Sequence, residues 1–196
     1  MPRDCVQAAP TVVFVPGLRD HMPDHWQALL EPEFERTASV PRLGKENLSC
    51  DAWVEALDRT LASIVGPVVL VAHSAGVMMV AHWAMRHSRP IHGALLAAPP
   101  DFESPLPEGY PAMGQLALNG WIPTPRAPLP FPTIVAASTN DPLGRLDRVA
   151  ELAQAWGSLL VNAGAVGHLN PASGHGPWPQ ALDLIEMLGV PAQAQA

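Results

Sequence analysis

The sequence predicts an α/β fold: a mostly parallel central sheet with helices on both faces, in three layers. Three observations predict it. Short apolar, β-branched runs alternate along the chain with segments of helical spacing. The connections between those runs are too long for hairpins, so successive strands should run parallel with a helix between them. One run, Pro67–Ala72, is apolar at every position, as expected of a central strand covered on both faces.

The elements follow in order. Thr11–Val15 is a β-branched strand ended by Pro16-Gly17. Asp24–Phe34 has helical spacing at Trp26, Leu29, Leu30 and Phe34. Ala38–Leu43 reads as a short strand. Asp51–Val65 is amphipathic, with Trp53, Leu57, Leu61 and Ile64 on one face and Ser49 or Asp51 as cap. The strand Pro67–Ala72 leads into a helix, Ala75–His87, and Gly93–Ala98 is the next strand. Pro99 to Pro132 then holds ten prolines, which predicts a partly rigid excursion over one end of the sheet. Thr133–Ala137 resumes as a strand. Leu146–Trp156 is a helix capped by Gly157. Ser158–Asn162 is the last strand and Pro177–Leu188 the closing helix. The expectation is one domain over residues 1–190, with residues 99–132 above its working end and a frayed tail at 191–196.

Composition narrows the function classes. With 196 residues and 48% hydrophobic content the chain is long and apolar enough to pack a core. A net charge of −7, with only 11 Lys and Arg, argues against a nucleic-acid partner, which needs a basic face. Residues 60–85 carry no Asp, Glu, Lys or Arg, a length that raises a membrane span. Gly66-Pro67, His73, Ser74 and His82 interrupt it, and a buried strand plus a buried helix accounts for the same run. Cys5 and Cys50 are too few for a disulfide framework or a zinc site. The N-terminus has no apolar signal-peptide region. The expectation is a cytoplasmic protein with reduced thiols and no membrane partner.

In such sheets chemistry gathers at the carboxyl ends of the strands. Ala72-His-Ser-Ala-Gly76 stands there, between the most apolar strand and a helix, close to the G-x-S-x-G nucleophile elbow. The elbow needs small residues beside the serine because strand and helix cross closely. Ser74 is therefore the candidate nucleophile, against the plainer reading of a helix-capping serine. A serine needs a base, and elbow enzymes run in the order serine, acid, histidine. His87 and His92 fall at unsuitable places; His168 and His175 share the loop after the last strand. Asp141 follows the strand Thr133–Ala137 and is the first choice of acid, ahead of Asp147 and Asp101. The oxyanion requires two aimed N–H groups. Ala75 supplies one, and Leu18, after the close-approach residue Gly17, supplies the other. His73 is placed on the pocket wall, with Trp121 and Ile122 as further pocket candidates from the proline-rich segment, alongside Tyr110, Met113, Leu116 and Leu118. His21 and His25 have the spacing of a metal pair, but no supporting ligand set accompanies them.

With these residues in place, the chain resembles the retinoblastoma-binding protein 9 / YdeN family of small serine hydrolases, in the α/β-hydrolase superfamily. Gly167–Pro179, GHLNPASGHGPWP, looks like the family's Gly-His-x-Asn-x-x-Ser-Gly-x-Gly-x-Trp-Pro signature. VFVPGLRD, DHWQ, VAHSAG and NDP fall in the family's order. The resemblance implies Ser74 as nucleophile, Asp141 as acid and His168, rather than His175, as base. Two departures stand out. Ala72 replaces the first glycine of the elbow. Leu48-Ser-Cys-Asp-Ala52 lacks the glutamate of the Leu-x-Cys-x-Glu motif, so no pocket-protein binding is carried over.

The expected function is cleavage of a small, fairly apolar ester through an acyl-enzyme, with no cofactor and no metal. A peptidase or amidase would use the same triad. A protein-binding module on a hydrolase scaffold and an elbow-bearing lyase are the rivals from other classes.

Overall fold

A computed structural model describes residues 9–18, 22–44 and 46–191. Cys5, Arg19, Asp20, His21 and the tail beyond residue 191 lie outside the described residues. Six strands form one parallel sheet: β1 (Thr11–Val15), β2 (Thr37–Ser39), β3 (Val68–His73), β4 (Gly93–Ala97), β5 (Thr133–Ala137) and β6 (Leu159–Asn162), in the order β2-β1-β3-β4-β5-β6. The helices are α1 (Trp26–Leu30), α2 (Cys50–Ala62), α3 (Ala75–Ala84), α4 (Met113–Leu118), α5 (Leu146–Trp156) and α6 (Gln180–Glu186).

Alternation of side chains along each strand divides the core in two. Val13, Val15, Leu70, Ala72, Leu96 and Val135 face one way, onto Trp53 and Leu57 of α2, Met78 and Met79 of α3, and Leu152 and Trp156 of α5. Val12, Phe14, Val69, Val71, Leu95 and Ile134 face the other way, onto Trp26 of α1 and Leu184 and Ile185 of α6. β3 is buried at all six positions because both faces are covered. α3 is buried at nine of its ten positions, His82 among them, so its uncharged sequence belongs to an interior helix. Among the described residues no helix is long and apolar enough to cross a membrane.

Several elements are shorter than their sequence patterns. β2 stops at Ser39: the Val40 N–H still donates to Phe14 (2.9 Å), but Pro41 has no N–H to extend the ladder. α3 ends at Ala84, and the Arg86 and His87 amides turn back on Trp83 O. The closing helix begins only after Pro177 and Pro179. The proline-rich segment contains α4, which the sequence reading lacked. Its start is closed by Gln115 Oε1, which accepts from Ala112 N–H at 2.9 Å.

Gly76 marks where the layers meet most tightly. A Cβ there would lie 2.4 Å from Val15 O and 2.7 Å from Pro16 O, both immobile backbone atoms at the end of β1. Gly114, in α4, has nothing within 4 Å of the corresponding position. Gly76→Ala is therefore expected to destabilise the fold by about 1–3 kcal/mol or more through overpacking. Gly114→Ala should be neutral or stabilising by up to about 1 kcal/mol, the usual helix gain of alanine over glycine. Urea midpoints of the two variants check both, and equal midpoints would contradict the packing argument.

Candidate active site

Ser74 sits at the turn from β3 into α3 with φ 56° and ψ −130°. A side chain rarely adopts this conformation, and it costs about 1–3 kcal/mol unless the surroundings impose it. Here they do. The Ser74 N–H donates to Ala97 O on the neighbouring strand (3.0 Å), and its carbonyl accepts from Val77 N–H in α3 (2.8 Å). The serine is thus pinned from both sides and its hydroxyl lifted clear of the sheet. Gly17 approaches from the loop after β1: a Cβ there would lie 3.2 Å from Ser74 Cβ. Ala72 is fully buried, and the elbow accommodates its methyl.

Two further loops converge on this serine. His168 Nε2 lies 2.8 Å from Ser74 Oγ, and His168 Nδ1 lies 2.8 Å from Asp141 Oδ2. The other carboxylate oxygen, Asp141 Oδ1, accepts from Leu143 N–H at 2.8 Å. The Asp141 and His168 side chains are only 2% and 5% exposed, so the carboxylate–imidazole pair is shielded from water. The Asp141 loop also holds the His168 loop directly. Asn140 Oδ1 accepts from Gly167 N–H (2.7 Å), and Ser138 Oγ accepts from Val166 N–H (3.2 Å). Ser173 Oγ accepts from His168 N–H (3.2 Å).

The other candidate acids and the second loop histidine have different partners. Asp101 binds the Ser104 hydroxyl (2.6 Å) and Arg148 Nε (3.0 Å). Burial alone would raise its pKa, but those partners hold the carboxyl below the usual range. Asp147 pairs with Arg145 at the start of α5. The His175 ring packs beside Trp178, and its Nε2 has no partner. Trp178 stacks edge-on against Trp26 at 4.9 Å, beneath the histidine loop.

Ala75 is the first residue of α3, so its N–H has no acceptor within the helix. Leu18 and Ala75 both border the cavity that opens at Ser74. That cavity has a volume of about 700 Å³, in the range of small-molecule sites. Its apolar wall is formed by Leu18, Met22, Phe102, Leu106, Tyr110 and Leu143.

Two pocket assignments made from sequence need correction. Trp121 is fully buried in the core, with its indole N–H donated to Leu48 O and its carbonyl 3.1 Å from His82 Nε2. Ile122 packs against the same core. Neither lines the cavity. Of their companions, Leu116 is also core, while Met113 and Leu118 point outward, Leu118 being 90% exposed. The physical reason is α4: once it forms, it turns Leu116 inward and draws the following Trp121 under the segment. Tyr110 does line the cavity, as do Leu106 and Gln115. Phe102, Leu106 and Leu143 carry no signal beyond being apolar residues in loops at the right end of the sheet.

His73 borders the cavity, yet both its ring nitrogens are committed within the protein. Nε2 lies 2.9 Å from His168 O, and Nδ1 lies 3.2 Å from His25 Nε2. His25 Nδ1 in turn accepts from Gln27 N–H at 3.2 Å, capping α1. Neither nitrogen of His25 is left for a metal. Burial, reinforced by Arg42, lowers the His25 pKa to about 4. Burial and the neighbouring His168 and His25 push His73 well below its ordinary value. Nearby His175 also opposes protonation of His25; Asp24 favours it.

These shifts have a sign. Both folded-state pKa values lie below the unfolded value of 6.5. Between 6.5 and about 4 the unfolded chain binds more protons than the folded one. Stability is then complete above pH 6.5 and is lost as pH falls, at up to ~1.4 kcal/mol per pH unit for each histidine. Urea denaturation at pH 7, 6 and 5 measures this slope, and replacing both histidines with Phe should reduce it, leaving the part that His82 and His175 contribute.

A model of the family described as serine hydrolase matches residues 12–187. A YdeN-like hydrolase from Pectobacterium atrosepticum is 32% identical, with 92% of each chain covered and a TM-score of 0.77. The ydeN gene product of B. subtilis is 17% identical over 92% of this chain and 99% of its own, with a TM-score of 0.74. Est1E from Butyrivibrio proteoclasticus shares the fold at 12% identity, covering 96% and 88% of the two chains, with a TM-score of 0.65. Among curated proteins the chain has no match. An elbow serine at the carboxyl end of a parallel sheet, in a chain matched by that family over nearly its whole length, identifies a member of the serine hydrolase family with the α/β-hydrolase fold.

Proposed function

We propose that the protein hydrolyses a small, fairly apolar ester through a covalent acyl-enzyme on Ser74. The observation that carries this reading is the pair of 2.8 Å contacts joining Asp141, His168 and Ser74 at the mouth of an apolar cavity. Ser74 Oγ attacks the carbonyl carbon while His168 Nε2 takes its proton. Asp141 holds the Nδ1–H and stabilises the imidazolium that forms. The N–H groups of Ala75 and Leu18 receive the negative charge on the carbonyl oxygen. Collapse expels the alcohol, which takes the proton from His168. Water, activated by the same imidazole, then releases the acid and frees Ser74.

The cavity supports the substrate class. Its wall at Leu18, Phe102, Leu106 and Leu143 suits an apolar acyl or alcohol group more than a charged one.

A fluorophosphonate should add once, at Ser74, as read by mass spectrometry, and Ser74→Ala should remain unlabelled. Asp141→Asn should lower kcat by roughly 10⁴-fold, since it leaves the histidine in the wrong tautomer. Turnover of p-nitrophenyl butyrate beside the matched anilide tests ester against amide. Faster anilide cleavage would reverse the assigned preference, and a folded protein that takes no label would end the acyl-enzyme reading.

A further inference from the structure

We propose that His25 and His73 are positioning residues: a one-way hydrogen-bond chain that fixes the main chain of His168 and so sets its imidazole against Ser74. The proposal rests on the Ser74–His168–Asp141 reading above.

Both ends of the chain are unambiguous. At one end a backbone N–H, that of Gln27, can only donate, so His25 Nδ1 must accept. A neutral His25 then carries its proton on Nε2 and donates to His73 Nδ1. At the other end a backbone carbonyl, that of His168, can only accept, so His73 Nε2 must carry the proton. The two ends demand the same arrangement independently. Both rings are neutral, both are Nε2–H tautomers, and all protons point toward His168.

Each link has a separate task. His73 precedes the nucleophile in sequence, so the end of β3 holds the base twice: residue 73 grips its carbonyl and residue 74 meets its imidazole. Ser173 holds the His168 N–H on the other side. The next residue, Leu169, has a φ of 49°, so the main chain turns sharply there and needs an external hold. His25 reinforces the tautomer of His73 by donating to its Nδ1. Without it, the His73 proton could move to Nδ1, and a nitrogen lone pair would face the His168 carbonyl.

The test compares His25→Phe, His25→Gln, His73→Phe and His73→Gln with the wild type and Ser74→Ala. A glutamine amide N–H₂ stands near the position of the histidine Nε2–H, so the Gln variants retain the donor and the Phe variants remove it. Folding is checked by near-ultraviolet circular dichroism, and p-nitrophenyl butyrate is the substrate. In His73→Phe, kcat should fall roughly 10- to 100-fold, as expected for a sub-ångström misplacement of the base, with KM changed by less than about twofold. His25→Phe should lose about tenfold, and each Gln variant should recover most of its loss. The double Phe variant should be no worse than His73→Phe alone, because the residues act in series. In ¹⁵N-histidine-labelled wild type at pH 7, NMR should show both rings neutral and protonated at Nε2, a readout that survives if a variant fails to fold. A proton on Nδ1 of either ring, or folded Phe variants with unchanged kcat, would overturn the proposal. Turnover retained by Ser74→Ala would instead remove the triad reading, and the proposal with it.

Discussion

The whole site hangs on the crossing of β3 and α3 over the end of β1. The chain reverses within one residue, Ser74, whose backbone is held in a sparsely populated conformation by Ala97 on one side and Val77 on the other. The crossing is close enough that a side chain at Gly76 would collide with the carbonyls of Val15 and Pro16. That packing ties Ser74 to the loop after β1. Val15 and Pro16 lead directly into Gly17, so the tight packing that forbids a side chain at 76 also brings Gly17 beside Ser74.

The other partners arrive by a second device, one of hydrogen bonds between loops. β5 and β6 are neighbours in the sheet, so the loops after them emerge side by side. Ser138 and Asn140 on the first loop accept amides of Val166 and Gly167 on the second. The Asp141 loop therefore holds the His168 loop through two contacts besides that of Asp141 with His168. His73 adds a third hold from β3, and Trp178 packs on Trp26 underneath. Strand order determines which loops are adjacent; side-chain oxygens then help bring Asp141 and His168 to hydrogen-bond distance.

Much of this was legible in the residues. β1, β5 and α5 have the bounds that their apolar patterns indicate, because each is a strong, uninterrupted repeat ended by Pro, Ser or Gly. Element ends set by a missing N–H, as at Pro41, were less legible, since the apolar pattern continues past them. α4 was not legible at all. One and a half turns between prolines carry too little periodicity, and its short helix is held by the Gln115 cap and by Leu116 in the core.

The sequence by itself determined the layer order, the parallel sheet and the few residues of catalytic type at its carboxyl end. Periodicity, chain order and the small residues around Ser74 are local properties, and they suffice for that. The tertiary structure decided which of those residues touch. It set His168 between Asp141 and Ser74 and tied Asp101 to Arg148, and it placed Trp121 and Ile122 in the core rather than on the cavity wall. It also joined His25 to His73 across 48 residues. Contacts of that span depend on how loops lie across the sheet, and no local pattern encodes them.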